Sequence, residues 1–131
     1  MKIITSEIKT FLVERGWHTL RPSDLAKSIS IEAAELLEIF QWTSMDIEEL
    51  KQDIDKLERT KKEIADVCIY ALQLVALLDL DAEEIIRAKL DQVNKKYPAE
   101  LMRKNAQTET GSGDDPEYWR IKYASRDAER S

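Results

Sequence analysis

An all-α bundle is the fold class the sequence predicts, and three observations predict it. Only three glycines and three prolines occur in 131 residues, and Gly111 and Gly113 fall together in one short stretch. That scarcity disfavours turn-rich β architectures. Apolar residues recur at spacings of three and four over most of the chain, the period of helices with one buried face. Helix boundaries are marked as well, by Gly16, Pro22 and Pro98 and by acid-rich capping sequences.

Ile4, Ile8, Phe11 and Leu12 define a short first helix that ends near Gly16. The link WHTLRP presents Trp17, His18 and Arg21 before Pro22 and Ser23 restart helical structure. From Leu25 to Phe40 the period returns strongly, with Ile29, Ala33, Leu36 or Leu37, and Phe40 on one face and Trp42 at the end. TSMD caps the next start through Thr43 or Ser44, with acids following in the first turn. Ile47, Leu50, Ile54 and Leu57 then recur at helical spacing. Ile64, Val67, Cys68, Ala71, Leu72, Val75 and Leu78 continue that face. No proline or glycine decides whether residues 46–78 form one helix or two.

Asp81 with Glu84 forms a capping box ahead of Ile85, Ala88 or Lys89, and Val93. That element runs to about Lys96, since Pro98 disfavours α geometry at Tyr97. The domain is expected over residues 1–104. Residues 105–131 are expected as a polar linker and a tail whose Tyr118, Trp119, Ile121 and Tyr123 are too aromatic for a purely solvated segment. They would dock on the body, on a neighbouring subunit or near a ligand. Internal repeats and sustained heptads are absent.

The formal charge of -6, from 20 basic and 26 acidic residues, argues against a nucleic-acid polymer as partner. It is compatible with phosphorylated small molecules, because a divalent ion reverses the local sign. The longest apolar region, about Val67 to Leu78, carries Gln73 and is too short to span a bilayer. Cys68 is the only cysteine and is expected as a buried structural thiol. With no leader-like segment, a reduced cytoplasmic setting is the default.

The chemistry-bearing feature is a pair of pairs. Glu32 and Glu35 are three apart, so both carboxylates leave the same side of a helix, and Glu38 extends the ridge. Glu63 and Asp66 repeat the spacing just before strongly apolar positions. If the two helices pack antiparallel, the pairs face each other across the bundle. Such acids repel and desolvate badly without a cation. An all-oxygen donor set favours Mg²⁺, or Mn²⁺, over zinc or copper. The rival reading is ordinary: acids at i and i+3 are common on solvated helix faces.

EAAELLEIFQW, EIADVCIY and NKKYP together resemble the MazG-like, all-α nucleoside triphosphate pyrophosphohydrolases, most of all the short dCTP pyrophosphatase-like branch. The resemblance spans roughly residues 15–100 and rests on Glu32-Ala33-Ala34-Glu35 followed by Glu63-Ile64-Ala65-Asp66. It implies a four-helix bundle-like fold assembled as a dimer or dimer of dimers. It also implies Mg²⁺-dependent release of pyrophosphate from a nucleoside triphosphate, leaving the monophosphate.

On that resemblance Glu32, Glu35, Glu63 and Asp66 are the metal ligands. Glu38 lies at the edge of the site, holding a second ion or orienting water, and Glu35 or Glu38 is the water-orienting base. Tyr70, on the face of Asp66, points into the nucleotide pocket. Trp17 and Trp42 border base or sugar, and His18 touches nucleotide or carries a proton. Core packing is the alternative for the three aromatics, and surface exposure for His18. Lys89, Lys95 and Lys96 would neutralise triphosphate oxygens or simply form a solvated face that complements the helix C-terminus. Lys96 best matches the family's basic-Tyr-Pro pattern. The family's sugar-binding asparagine sits one position earlier, where this chain has Val93, so Asn94 is turned by about 100°. The aromatic tail is a second departure.

The function expected is cleavage between the α and β phosphates of a pyrimidine deoxynucleoside triphosphate, dCTP or a modified analogue. No GxxxxGK[ST] phosphate loop occurs. Two rivals stand beside this reading: a non-catalytic helical interaction protein, and a related hydrolase acting on another phosphorylated nucleotide.

Overall fold

The computed structural model describes residues 1–106 and 116–130. All seven elements among them are helices: α1 (Lys2–Glu14), α2 (Pro22–Phe40), α3 (Ile47–Gln52), α4 (Ile54–Leu77), α5 (Ala82–Lys96), α6 (Ala99–Ala106) and α7 (Pro116–Arg130). The chain divides into two compact units, Met1–Glu83 and Glu84–Ser131, so the boundary falls in the first turn of α5. No helix among the described residues is long and apolar enough to cross a membrane.

In the first unit α4 is the central helix. α2 packs along it most extensively, and α1 and α3 pack on it as well. The inward residues of α2 are Leu25, Ile29, Glu32, Leu36 and Ile39, alternating in steps of four and three. The expected face therefore shifts: Ala33 is exposed and Leu37 is 63% exposed, whereas Glu32 takes the central inward position. On α4 the inward column is Thr60, Glu63, Asp66 with Val67, Tyr70 and Gln73. Ile64, Cys68 and Leu78 turn away from it and are exposed. The expectation of a buried Cys68 is thus overturned. With the acids and Tyr70 facing inward, the helical period carries residue 68 outward.

α1 ends in a glycine-dependent cap. Gly16 adopts φ +68°, its N–H donates to Val13 O (3.1 Å), and the Trp17 N–H donates to Leu12 O (2.9 Å). These are the two bonds of a Schellman motif, and the positive φ is what favours glycine there. The motif turns Trp17 back onto Phe11, edge to face, with ring centroids 5.8 Å apart. The same motif ends α4 without a glycine. Asp79 takes φ +54°, its N–H donates to Ala76 O (3.2 Å), and the Leu80 N–H donates to Val75 O (3.1 Å). Asp79 also pairs with Lys9, and Lys2 with Asp81 (3.5 Å), fastening α1 to the end of α4.

Residues 46–78 form two helices, and a single aspartate separates them. The Asp53 N–H closes α3 on Glu49 O and Leu50 O, while its Oδ1 accepts from the Lys56 N–H (3.0 Å) to open α4. The cap of α3 is Asp46 rather than Thr43 or Ser44. Its Oδ1 accepts from the Glu49 N–H (2.8 Å) and Glu49 Oε2 accepts from the Asp46 N–H (3.2 Å). This reciprocal pair satisfies two otherwise free donors with negative charge at the helix N-terminus. Thr43 Oγ1 instead accepts from the Met45 N–H. Pro22 sits at the first position of α2, and Asp24 accepts from the Arg21 N–H (3.2 Å).

In the second unit α6 and α7 pack together. The helix over Pro116–Arg130 was not expected from periodicity. Its Tyr118 stacks on Tyr97 at 5.0 Å, and Trp119 stacks on Tyr123 at 5.8 Å, with Lys122 over both Tyr118 and Trp119. Of the three docking sites considered for the tail, the structure shows Tyr118 against the end of α5. Residues 107–115, most of the expected linker, lie outside the described residues.

Candidate functional site

The α2–α4 seam brings three acids together. Glu32, Glu63 and Asp66 each offer a carboxylate oxygen within 4.8 Å of the others, and all three are half-buried. Their convergence follows from helix direction. Glu32 meets Glu63 and Asp66, whereas Ser28, one turn earlier on α2, shares a cavity wall with Tyr70 and Gln73 further along α4. The two helices therefore run antiparallel, the arrangement in which the two acid pairs can face each other.

The electrostatics are unfavourable for three anions alone. Glu32 is pushed up to about 7, first by its hydrogen bond with the Glu35 side chain, then by desolvation and the charges of Glu35, Asp66 and Glu63. Glu63 is raised as well, first by desolvation and then by Glu35 and Asp66, while a hydrogen bond with Glu32 works in the opposite direction. Its Oε2 is buried with no hydrogen-bond partner. A buried carboxylate oxygen without a donor is costly, and a hard divalent cation is the partner this all-oxygen set fits. Glu35 stands on the exposed side of the group, in hydrogen bond with Glu32. Glu38 is exposed, outside the triad.

A cavity of about 370 Å³ adjoins the acids through Asp66. It is lined by Phe11, Trp17 and Leu20 from α1 and its link, Ser28 from α2, and Asp66, Ile69, Tyr70 and Gln73 from α4. Trp17 and Tyr70, both singled out from sequence, thus share one wall system. His18 is exposed in the same link, and Trp42 is 91% exposed beyond α2. Phe11, Leu20, Ser28, Ile69 and Gln73 were not anticipated as site residues. Only Gln73 carried a signal, as the one polar residue in the apolar run from Val67 to Leu78.

Lys89 and Lys96 belong to the second unit, where they line a cavity of about 260 Å³ with Gln92, Val93, Ser125 and Glu129. Lys96 also lies over the Tyr97 ring, 5.3 Å from its centroid. Val93 shares the lysines' face, whereas Asn94 is exposed and outside that lining.

Comparison with known proteins shows the family of the chain. The MazG-like family model matches residues 27–114. dCTP pyrophosphatase 1 of Mus musculus is 34% identical over 99 residues, covering 73% of this chain and 58% of that protein. The Homo sapiens dCTP pyrophosphatase 1 is 33% identical over 103 residues, covering 76% and 60%. The chain therefore spans about three fifths of the length of these curated relatives. A crystal structure of a pyrophosphatase from Archaeoglobus fulgidus is similar with a TM-score of 0.63 and 40% identity, over 75% of this chain and 92% of that one. With the paired acids of α2 and α4 converging and the family model matching across both helices, the chain belongs to the MazG-like family.

Proposed function

We propose that the protein hydrolyses a nucleoside triphosphate between its α and β phosphates, yielding the monophosphate and pyrophosphate. One observation carries this reading: the triad of Glu32, Glu63 and Asp66, with a partnerless buried Glu63 oxygen, opens through Asp66 onto an aromatic-walled cavity. Acids and cavity side by side suit a ligand with an anionic, metal-binding end and a flat apolar end.

Glu32, Glu63 and Asp66, with Glu35 beside them, would hold Mg²⁺ or Mn²⁺. When bound, the ion neutralises phosphate charge and lowers the barrier to attack at phosphorus. Glu35, exposed and already sharing a hydrogen bond with Glu32, is the better placed of the two candidates to orient the attacking water. Glu38 would support it from the next turn. Trp17 and Tyr70 would hold the base and exclude water around it. The proposed substrate roles of His18, Trp42, Lys89, Asn94 and Lys96 rest on the resemblance. The names of the relatives point to dCTP, or a modified pyrimidine analogue, as the first substrate to try.

A dimer or dimer of dimers belongs to the same proposal. Among the described residues only six apolar side chains are buried, while Ile31, Leu37, Ile54 and Ile64 are exposed, and a second copy would cover such surface. The catalytic domain would occupy residues 1–104, with 105–131 appended. A reducing cytoplasmic setting suits the exposed Cys68.

The test is release of pyrophosphate and monophosphate over a panel of ribo- and deoxynucleoside triphosphates with Mg²⁺, widened to diphosphates and nucleotide conjugates. Cleavage of at least one triphosphate at the α–β bond, lost in Glu32→Gln and Asp66→Asn, is expected. If no triphosphate is cleaved and the variants leave Mg²⁺ binding unchanged, the reading fails in favour of a non-catalytic bundle. Light scattering checks the assembly.

A further inference from the structure

Gln73 is the polar group of the first unit that metal chemistry leaves unexplained. It sits in the second half of α4 at only 5% exposure, on the wall of the cavity next to Asp66, with Tyr70 one turn before it. Among the described residues no hydrogen bond to its carboxamide is found. Its carboxamide donor and acceptor therefore remain available to a ligand held in the cavity that Gln73 lines. Ser28 Oγ, on the same lining, donates to Asp24 O at 3.1 Å. What it offers the cavity is therefore acceptor capacity. The remaining lining is aromatic and aliphatic: Phe11, Trp17, Leu20, Ile69 and Tyr70.

We propose that Gln73 is a specificity-determining residue that reads the hydrogen-bonding edge of a pyrimidine base held in this cavity. The proposal rests on the nucleotide reading above and names the residue that selects the base. A carboxamide carries a donor and an acceptor side by side, matching the ring nitrogen and exocyclic amino group of a cytosine-type edge. Stacking against Trp17 or Tyr70 is available to any flat ring and cannot select among bases. Discrimination must then come from hydrogen bonds, and a site built to make them rejects a ring that lacks the partner group.

The experiment is a cycle between residue and ligand. Wild type and the near-isosteric Gln73→Met are each given dCTP and the triphosphate of 2-pyrimidinone deoxynucleoside, which lacks the exocyclic amine, and kcat/KM is measured. Binding of the two corresponding monophosphates is measured by calorimetry in parallel. In wild type, loss of the amine should cost about tenfold in kcat/KM and in monophosphate affinity. In Gln73→Met that ratio should fall below about twofold in both kcat/KM and monophosphate affinity. Gln73→Leu gives a second variant should the methionine perturb packing; it too lacks an acceptor for the amine, and its ratio should likewise fall below about twofold.

Equal amine dependence in wild type and both variants would overturn the assignment of Gln73 while leaving hydrolysis intact. Monophosphate binding that depends on Gln73, with no triphosphate cleaved, would instead uphold base reading and sink the proposed reaction.

Discussion

Glu32 and Glu63 face each other across the α2–α4 seam, each at a position where helical period would otherwise place an apolar side chain. Glu63 Oε2 is buried without a partner, and Glu32 is pushed up to about 7. Packing alone would favour leucine at either place. The pair is a local destabilisation that a bound cation would offset.

Replacing one acid by its amide should therefore separate stability from binding. Glu63→Gln removes a like charge and supplies a donor, so the metal-free protein should melt higher than wild type. Its Mg²⁺ affinity should fall by about tenfold or more. Melting curves with and without Mg²⁺ test both halves. A variant that melts lower and is still fully stabilised by Mg²⁺ would contradict this account.

The pH dependence has a definite sign. The Glu32 carboxyl is raised from 4.5 to about 7, so the folded metal-free chain holds this proton more tightly than the unfolded chain. Stability from this group is present at low pH and is lost as pH rises from about 4.5 through 7. Cation binding needs the ionised form, so Mg²⁺ affinity should rise between pH 6 and 8 with proton release. Calorimetry in two buffers of different ionisation enthalpy counts that proton. No release near pH 6.5 would refute the coupling.

Gly16→Ala should cost about 1 kcal/mol or somewhat more, since a Cβ is disfavoured at φ +68°. No atom lies within 4 Å of the position a Cβ would take, so the cost is conformational rather than a clash. Because the same cap aims Trp17 at Phe11, nucleotide binding should weaken together with stability. Urea unfolding and monophosphate titration report the two effects.

Asp79 occupies the corresponding position at the end of α4 with φ +54°. Asp79→Gly relieves the conformation but removes an exposed ion pair with Lys9, which contributes at most about 1 kcal/mol. The net change should lie within about 0.5 kcal/mol of zero. Asp79→Ala loses the pair and keeps the strain, and should destabilise by about 1 kcal/mol. A clear gain for the alanine variant would show that this turn is not held as described.

Much of the local structure was legible in the residues. Pro22 and Gly16 bracket the first link because φ is restricted at one and free at the other. α5 begins at Ala82, directly after Asp81, and ends at Lys96, two residues before Pro98. The division at Asp53 was not legible, because it depends on a side chain that caps the following turn, and aspartate does so only in some settings. The helix carrying Tyr118 and Trp119 was missed for a related reason. Its aromatic residues suggested docking, but the partner, Tyr97, lies beyond a polar stretch with no pattern to bridge it.

For the site, spacing alone determined that Glu32 with Glu35, and Glu63 with Asp66, share a side of their helices. That much follows from 3.6 residues per turn. Only the tertiary structure decided which bearing faces the partner helix. It placed Glu32 inward and Ala33 outward, exposed Cys68, and put Gln73 on the wall of the cavity. The physical reason is that periodicity fixes angles between residues on one helix but not the rotation of that helix about its axis. Rotation is set by packing summed over the whole seam, and this seam carries acids whose compensating interaction is not written in the apolar pattern.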